Sequence, residues 1–435
     1  MLISALIRLN LNSLMYLLPL DTLPKRLAVI AGVLFTSAFL LFGLNWGISN
    51  SAATRADSRE LAEALVGWSH SDPQTHYAAA VFAARDTSDE GRQASLAGFE
   101  QAVALAPRSY LIWTEYGRAL ERTGERDRAT LAFDRASELA PNYSSVAWAR
   151  GNFLVRQGRV DAGFIEIRRA IKGTPSYAVA AAQLAWVSSG LNAERAVQFA
   201  GNEPSLAAAL ALVLARAGDL GQASELWRGV PADLRKTDLK DLGLQLARIF
   251  FDSGRYRDAL EAEAGTLGKA SSVGSFSDPG FEEPIAAENA GLFDWKLGGG
   301  TNPSMNLFDT VKRSGKYSLF LRFAGAGDQQ SLRQLAQSVA VEPGAKYRFV
   351  YRYRAELTTS PDIRWSVAAI RSKEALADGP PLRTNADWAE ESLSFVVPGD
   401  TDGVTIKLRR DACTGTPCRT DGNLWLDDLE LVREN

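Results

Sequence analysis

The middle of the chain repeats one pattern of apolar and small residues at a fixed interval. Pro107, Pro141 and Pro175 are spaced 34 residues apart. Within one interval, the apolar and small positions fall three or four residues apart, which is the spacing of one helix face. These positions are Trp113, Tyr116, Gly117 and Leu120 on a first helix and Ala129, Phe133 and Ala136 on a second. Because a repeat of this length buries its apolar face only against its neighbours, the pattern predicts stacked helix pairs over residues 75–266.

The pattern changes to alternation in the last third of the chain. From Tyr347 to Arg354, aromatic residues alternate mostly with arginines, as expected for a β-strand with one packed and one solvated face. Similar runs read KYSLFLRF, DIRWSVAAI, ESLSFVVP, GVTIKLRR and LWLDDLELV, and Pro-Gly or Asp-Gly turn signals separate several of them. Several short strands of this kind predict a β-sandwich over residues 278–435, preceded by a linker containing Gly and Ser at 267–277.

The amino-terminal part of the chain contains one long apolar run. No charged residue occurs between Leu27 and Thr54. The run is long enough to predict a transmembrane helix over residues 27–48. Lys25 and Arg26 precede the run, and positive residues tend to stay in the cytoplasm. We therefore expect a single-pass protein of a bacterial inner membrane, with residues 1–26 cytoplasmic or interfacial and the C-terminal domains in the periplasm.

Two alternatives remain open at this end of the chain. The apolar run is otherwise a cleaved signal peptide that ends near Ala53. Residues 1–20 form a second apolar stretch, which is either a helix lying in the membrane surface or the product of a misassigned start codon. Residues 49–74 are mostly polar, and one helical patch within them predicts a juxtamembrane or capping segment.

Composition excludes several classes of function. The chain has 435 residues, of which 46% are hydrophobic and 23% charged, so it is able to bury cores in two or three domains. The formal net charge of −3 gives no basic excess for nucleic acid. With only 2 His and 2 Cys, neither zinc chemistry nor a histidine-dependent catalytic site is expected.

The 34-residue period and the residues given above resemble the tetratricopeptide repeat, most fully in the unit from Tyr110 to Pro141. The resemblance implies an α-solenoid in which the first helix of each pair lines a groove for envelope proteins or peptides. The groove residues it implies are Arg118, Arg122, Trp148, Asn152 and Arg156. Cationic and amide groups suit a carboxylate or a peptide backbone. The alternative is that each of these is an ordinary solvated residue.

The pieces DPGFEE, RSGKYSLFLRF, QSVAVEPGAKYRFVYRYRA and LWLDDLELV occur in the order seen in galactose-binding-like jelly rolls. The domain thus resembles the carbohydrate-binding modules among them. The resemblance implies a structural calcium ion that joins the first and last strands. The implied ligands are Glu282, Asp427 or Asp428, and backbone carbonyls near Gly315 and Lys316. Oxygen ligands suit Ca2+; the alternative is that these carboxylates cap turns. No other cofactor is expected.

Sugar binding by this domain is a separate expectation, because a sugar ring stacks only on an exposed aromatic side chain. Tyr351 and Tyr353, beside the arginine face of their strand, and Trp365 are the candidate glycan contacts. We expect three other tryptophans to pack in the interior. These are Trp295, Trp388 and Trp425. The fold alone does not establish a ligand.

The two cysteines lie close together in CTGTPC. Cys413 and Cys418 surround Gly and Pro, and this spacing predicts a small disulfide loop, which an extracytoplasmic location permits. The alternative, a metal site with two cysteine ligands, lacks partner residues in the sequence.

Three functions follow in order of preference. The first is a membrane-anchored scaffold that binds protein partners through its repeats, as in accessory proteins of exopolysaccharide assembly or export, which this domain combination resembles. The second is a polysaccharide-binding protein that acts through the jelly roll. The third is an enzyme such as a glycosidase. We expect no catalysis, because the sequence contains no nucleophile motif, phosphate-binding loop or cluster of metal ligands.

Overall fold

The computed structural model describes residues 22–286, 290–300, 302–324, 333–358, 363–372, 374–410 and 420–434. Helices form the first part of this chain, and two antiparallel sheets form the last part, which confirms the predicted fold class. The chain separates into two compact units, Met1–Gly173 and Thr174–Asn435. The second unit therefore contains helices as well as the sheets, and each unit is described by itself.

Eight α-helices make up the described part of the first unit. They are α1 (Leu23–Thr54), α2 (Arg59–Trp68), α3 (Pro73–Ala83), α4 (Asp89–Leu105), α5 (Tyr110–Arg122), α6 (Arg126–Leu139), α7 (Ser144–Arg156) and α8 (Val160–Gly173). From α3 onward they form antiparallel pairs, in which the helices α3, α5 and α7 are the first members. Ser88 and Ser109 cap α4 and α5 through side-chain hydrogen bonds to backbone N–H groups.

The small residues of the repeat pattern lie where helices of a pair approach most closely. A Cβ atom at Gly117 would lie 3.0 Å from the ring of Phe133 on the partner helix. Gly124 and Gly158 follow α5 and α7 with φ angles of 83° and 78°, a left-handed conformation that favours glycine. The periodic glycines therefore have two separate causes, close helix packing and helix termination, and both recur at the 34-residue interval.

The helix α1 is long and apolar enough, by length and composition, to cross a membrane, and its apolar segment is not buried in the protein. Its last turns are different. Ser49 is fully buried and Ala53 packs in a cluster with Ala62, Leu65 and Ala78. The helix thus continues without a break from the exposed apolar segment into the first helices of the array.

The helical part of the second unit begins with a single 3-10 turn at Pro175–Tyr177. The α-helices that follow are α9 (Ala178–Ser188), α10 (Ala193–Ala200), α11 (Pro204–Ala217), α12 (Leu220–Gly229), α13 (Ala232–Lys236), α14 (Lys240–Asp252) and α15 (Tyr256–Leu267). Gly218 and Gly268 end α11 and α15 in the left-handed conformation. The looser spacing of glycines in this region therefore still marks helix ends.

The sheets together contain ten strands in the described residues. They are β1 (Lys296–Leu297), β2 (Ser304–Phe308), β3 (Ser318–Phe323), β4 (Leu335–Ala340), β5 (Lys346–Leu357), β6 (Ile363–Ala369), β7 (Ala375–Asp378), β8 (Asn385–Val396), β9 (Gly403–Arg410) and β10 (Gly422–Glu434). Sheet I has the order β1-β4-β9-β6-β7, and sheet II has the order β2-β3-β10-β5-β8. All pairings are antiparallel.

One apolar core fills the space between the two sheets. The alternation in β5 sends Phe349, Tyr351 and Tyr353 inward, where Phe349 meets Trp365 of β6 edge to face with ring centroids 5.3 Å apart. Phe276 also belongs to this core and stacks on Trp295. The far end of the segment predicted as a linker, 267–277, is therefore part of the folded sandwich.

Candidate functional site

The first helices of the pairs share one face in the first unit. Arg156 of α7 forms a bidentate ion pair with Glu121 of α5, with N–O distances of 2.7 and 2.8 Å. The two residues are 35 positions apart in the sequence. Glu115 and Arg118 of α5 act electrostatically on Tyr77 of α3, whose pKa is raised first by burial and then by Glu115. The helices α3, α5 and α7 therefore lie side by side. We name the surface they form the array face.

The array face contains all five groove residues that the repeat resemblance implies. Arg122 is exposed, and in the described part of the chain it has no carboxylate partner within ion-pair distance. Asn152 donates a hydrogen bond to the carbonyl of Trp148 on the same helix, at 2.8 Å. Trp148 and Asn152 are both half-buried. The predicted positions thus lie together, on two adjacent helices.

The array face also contains acidic residues that are not among the predicted groove residues. Arg118 forms an ion pair with Glu115, at 2.5 Å, and Arg156 is held by Glu121. A carboxylate that binds here must therefore displace a glutamate at either arginine, whereas Arg122 is open to it. Glu115 lies three residues before Arg118, a helical spacing that was a usable signal, but Glu121 meets Arg156 only through the stacking of repeats.

The residues predicted to hold calcium come together where β3 begins beside β10, the central strand of sheet II. A β-bulge in β10 between Asp427 and Glu430 turns both Asp427 and Asp428 toward the loop that precedes β3, and Asp428 has a left-handed φ of 50°. Asp427 is fully buried, and its Oδ2 accepts hydrogen bonds from the backbone N–H groups of Arg313 and Ser314 at 2.7 and 3.2 Å. The bulge therefore positions this carboxylate.

Glu282 reaches the same loop from the start of the sandwich. Its two carboxylate oxygens accept from the N–H of Lys316 at 3.1 and 3.0 Å, and a Cβ at Gly315 would overlap one of them. A Cβ at Gly280 would lie 3.7 Å from an oxygen of both Glu282 and Asp427. The two carboxylates therefore lie close together beside Gly280, as the resemblance implies.

The donor set of this cluster fits a hard cation. Burial raises the pKa of Asp427, hydrogen bonds from Arg313 and Ser314 oppose that rise, and the charge of Asp428 adds to it. Carboxylate oxygens with spare acceptor capacity are the ligands that Ca2+ prefers. Within the described ranges no group of three or more His, Cys, Asp or Glu has a metal-binding arrangement, so backbone carbonyls would have to complete the site. One of them, the carbonyl of Lys316, accepts from the ammonium of Lys312 at 3.0 Å.

The candidate glycan contacts Tyr351, Tyr353 and Trp365 are corrected by their burial. All three have no exposed surface. The phenolic oxygen of Tyr353 accepts from the backbone N–H of Arg383 at 3.1 Å, and burial raises the pKa of Tyr351. Their positions follow from the alternation of β5 and β6, which sends them into the sandwich core. A sugar ring cannot stack on them.

A different set of aromatic residues occupies the outward face of sheet II. Phe320 of β3 and Trp425 of β10 are cross-strand partners with ring centroids 5.2 Å apart, and Phe308 of β2 lies 5.1 Å from Phe320. The guanidinium of Arg354 lies 5.6 Å from the centroid of Trp425. We name Phe308, Phe320 and Trp425 the aromatic row, and Arg354 lies beside it. Trp295 is in the sandwich core as expected. Trp425 is also buried, but on the outward face of sheet II.

The aromatic row has features of a binding surface and features of simple packing. Phe308 and Phe320 are only half-buried. Trp425 is 5% exposed, and its indole N–H is buried without a hydrogen-bond acceptor among the described residues. A buried N–H group of this kind is destabilising unless an acceptor reaches it. Sequence alternation was the signal for the row, since Leu319 and Leu321 point inward on either side of Phe320.

A cleft of about 660 Å3 lies in the second unit between the last helices and loops of the sandwich. Arg228 forms ion pairs with Asp258 and Glu261 at 2.8 and 2.9 Å, and Arg257 pairs with Glu342 at 3.1 Å. The charged walls of the cleft are thus largely satisfied by one another. The pair between Arg257 and Glu342 links the last helix of this unit to a loop of the sandwich.

No protein-family model matches the chain, and no curated protein matches it. Several solved structures are similar to parts of the chain. One described as "CBM4 structure and function" covers 37% of this chain and 100% of its own at 17% identity and a TM-score of 0.29. MamA residues 41 to the end, from Desulfovibrio magneticus RS-1, covers 38% of this chain and 93% of its own at 16% identity and a TM-score of 0.31.

A third structure holds the CBM22-1 and GH10 modules of Clostridium thermocellum xylanase 10B with xylohexaose. It covers 36% of this chain and 28% of its own at 12% identity and a TM-score of 0.26. Identities this low concern the fold alone, and TM-scores this low support no argument about function. What stands is the class of architecture: an apolar N-terminal helix, a helical array and a two-sheet β-sandwich.

Proposed function

We propose that this protein is a membrane-anchored scaffold that binds a partner of the cell envelope on the array face. The observation that supports this most directly is the alignment of α3, α5 and α7 through the Arg156–Glu121 pair, which joins residues 35 positions apart into one surface. Paired charges on a rigid helical surface give specificity and orientation to a docked segment. The proposal includes no catalytic step.

The partner we propose is an acidic peptide segment. Arg122 is exposed and lies next in sequence to Glu121, so it is free to meet a carboxylate while the neighbouring pair stays intact. Trp148 and Asn152 are half-buried on the adjacent helix and supply apolar contact and an amide. An arginine suits a carboxylate because it donates two parallel hydrogen bonds.

Site-specific photocrosslinking tests the array face. A photoreactive residue at Trp148 in the full-length membrane protein is expected to capture a defined partner, and Arg122→Glu is expected to abolish that capture. Arg126→Glu is the matched control, because Arg126 is an exposed arginine at the start of α6, a second helix of its pair. Equal capture from Leu131 of α6, which is 69% exposed, would show that the array face is not the binding surface.

We propose that α1 anchors the protein in a bacterial inner membrane, with the helices after α1 and the β-sandwich in the periplasm, because Arg26 precedes the apolar segment and no charged residue interrupts it. A role in exopolysaccharide assembly or export is the narrower form of this proposal. Protease protection in spheroplasts tests the orientation. Genes for glycosyltransferases and an export channel beside this one would support the narrower role, and their absence would count against it.

The aromatic row supports a second candidate function, the binding of a polysaccharide to the outward face of sheet II. Half-buried rings of Phe308 and Phe320 present apolar faces. Arg354, which lies over Trp425, suits an acidic polymer that displaces its partners Glu356 and Asp387. Affinity electrophoresis of the full-length protein in acidic and neutral polysaccharides tests this. Retardation that is lost in Phe320→Ala and kept in Val396→Ala, which removes an exposed apolar side chain of β8, would support it. Equal mobility in every polymer would exclude it.

A further inference from the structure

The turn between α2 and α3 is tied directly to the anchor helix. The carboxylate of Asp72 accepts hydrogen bonds from Ser49 Oγ at 3.4 Å and from Asn50 Nδ2 at 3.2 Å. The same carboxylate caps α3 by accepting from the N–H of Gln74 at 3.0 Å. Asp72 is fully buried, and its hydrogen bond with Ser49 is therefore protected from water. The turn is thereby held at the level of Ser49 along α1.

The direction of α2 follows from two contacts. Leu65, in the second half of α2, packs in the same cluster as Ala53 of α1, and Asp72, which follows α2, is bonded to Ser49. As the chain advances along α2 it therefore moves backward along α1. The helix α2 is antiparallel to α1 and returns toward the apolar segment, and Trp68 is its last residue.

Trp68 is the exposed residue that this return places near the apolar segment. It is 58% exposed, and Trp46 of α1 is 46% exposed. Trp46 lies about one helical turn before Ser49, and Trp68 lies one residue before the turn that contacts Ser49. Both tryptophans therefore stand at the end of the apolar segment, where amphipathic indole rings favour the boundary between lipid and water.

We infer that the turn Ser69–Asp72 and Trp68 form a foot that contacts the headgroup region of the membrane crossed by α1. The inference rests on the proposed membrane anchor, because it takes the bilayer as the occupant of this surface from continuity with the apolar segment of α1. With the foot in place the helical array is fixed against the membrane at two points. No flexible linker separates the apolar segment from the array, because α1 is one uninterrupted helix from Leu23 to Thr54.

Fluorescence quenching in nanodiscs tests the foot with the full-length protein. An environment-sensitive dye is attached to Ser71→Cys in the foot, in a background of Cys413→Ser and Cys418→Ser, and the lipid carries a nitroxide near its headgroup. Ile48→Cys, at the end of the apolar segment, reports the anchor. Leu61→Cys is the matched control, because Leu61 is exposed on α2 itself, about 10 Å before Trp68 along the helix. Circular dichroism checks that each labelled protein is folded.

The expected result is loss of fluorescence at Ile48 and Ser71 with fluorescence retained at Leu61. Quenching at Ile48 alone would overturn the foot and leave the anchor in place. No quenching at any position would overturn the anchor, and with it the proposed membrane location. Equal quenching at Ser71 and Leu61 would also overturn the foot, because α2 would then lie along the membrane and not return to it.

Discussion

The carboxylate of Asp402 accepts a hydrogen bond from the backbone N–H of Tyr256 at 2.9 Å, across 146 positions of sequence. Its second oxygen accepts from the N–H of Arg257 at 3.1 Å. These are the first amides of α15, a helix whose own N-cap residue, Arg255, makes no side-chain capping bond. A loop residue of the sandwich therefore caps the last helix of the array, and the same residue fixes the two parts of the second unit together.

Asp402→Ala is expected to uncap α15 and to loosen its contact with the sandwich. Loss of an N-cap costs about 0.5–2 kcal/mol. Hydrogen exchange should show faster exchange at the start of α15, since the amides of Tyr256 and Arg257 lose their acceptor. Asp400→Ala is the control, because Asp400 is exposed in the same loop. Unchanged exchange in Asp402→Ala would contradict the capping role.

The repeat register also fixes polar contacts between helices. Arg150 of α7 donates to Asp134 of α6 at 3.0 Å, one repeat after the position at which Tyr116 donates to Glu100 at 3.4 Å. Arg150 also bonds to Glu166 of α8 at 2.7 Å, and the side chain of Glu166 is only 9% exposed. Arg150 therefore joins consecutive helices by a charge that lies partly away from water.

Arg150→Ala is expected to destabilise the first unit by about 1–3 kcal/mol, because it leaves a largely buried carboxylate with one partner fewer. Arg135→Ala removes an exposed pair with Glu138 within one helix and is expected to cost less than about 0.5 kcal/mol. Urea unfolding followed by circular dichroism measures both. Equal midpoints for the two variants would show that the Arg150 contacts add nothing to stability.

The fold was predictable because its main signals are periodic. The 34-residue interval marks helix pairs, and the alternation in β5 marks a strand with Phe349 inside. The same alternation indicates that Tyr351 and Tyr353 are not glycan contacts, because they share a face with Phe349 and that face points into the core. The arginines that alternate with these tyrosines indicate only which face of the strand is solvated.

Contacts that depend on tertiary structure were not predictable from the sequence. Nothing near Asp402 in the sequence indicates a helix cap, because the helix lies 146 positions earlier. The pairing of Glu121 with Arg156 and of Ser49 with Asp72 has the same origin. In each case the signal is a polar residue in a loop or on a helix face, and only the packing decides its partner.

The predicted disulfide between Cys413 and Cys418 lies outside the described residues and stays a prediction. Alkylation of the unfolded, non-reduced protein is expected to leave both thiols unmodified, and alkylation after reduction is expected to modify both. Mass spectrometry distinguishes the two states. Modification without reduction would contradict the disulfide and would weaken the proposed extracytoplasmic location.

Glu263 of α15 is expected to make a pH-dependent contribution to stability. Burial raises its pKa above the ordinary value of 4.5, and the hydrogen bond that the N–H of Leu292 donates to Glu263 at 2.7 Å opposes that rise. A carboxyl group with a raised pKa stabilises the fold most below its unfolded pKa, and this contribution is lost as the pH rises through the folded pKa. The window therefore begins near 4.5 and extends upward.

Glu263→Gln keeps an acceptor for Leu292 and removes the titration. The free energy of unfolding of the wild type, measured relative to this variant, is expected to fall as the pH is raised from about 4 toward neutrality. Urea titrations at several pH values give the difference directly. A difference that is constant with pH, or one that grows as the pH rises, would show that Glu263 is not held in a desolvated position.

Calcium is expected to stabilise the sandwich through Asp427 and Glu282. The two carboxylates flank Gly280, and the raised pKa of Asp427, caused first by burial, indicates that its backbone donors do not fully compensate its charge. A cation that binds only the folded state, at a concentration 100 times its Kd, adds about 2.7 kcal/mol to the free energy of unfolding.

Thermal unfolding should therefore occur at a higher temperature in CaCl2 than in EDTA. Asp427→Asn should abolish the difference, whereas Asp387→Asn, at an exposed aspartate of sheet II, should preserve it. Identical unfolding of the wild type in CaCl2 and EDTA would mean that the carboxylates act only as acceptors for the loop amides, and the alternative of turn caps would then account for both residues.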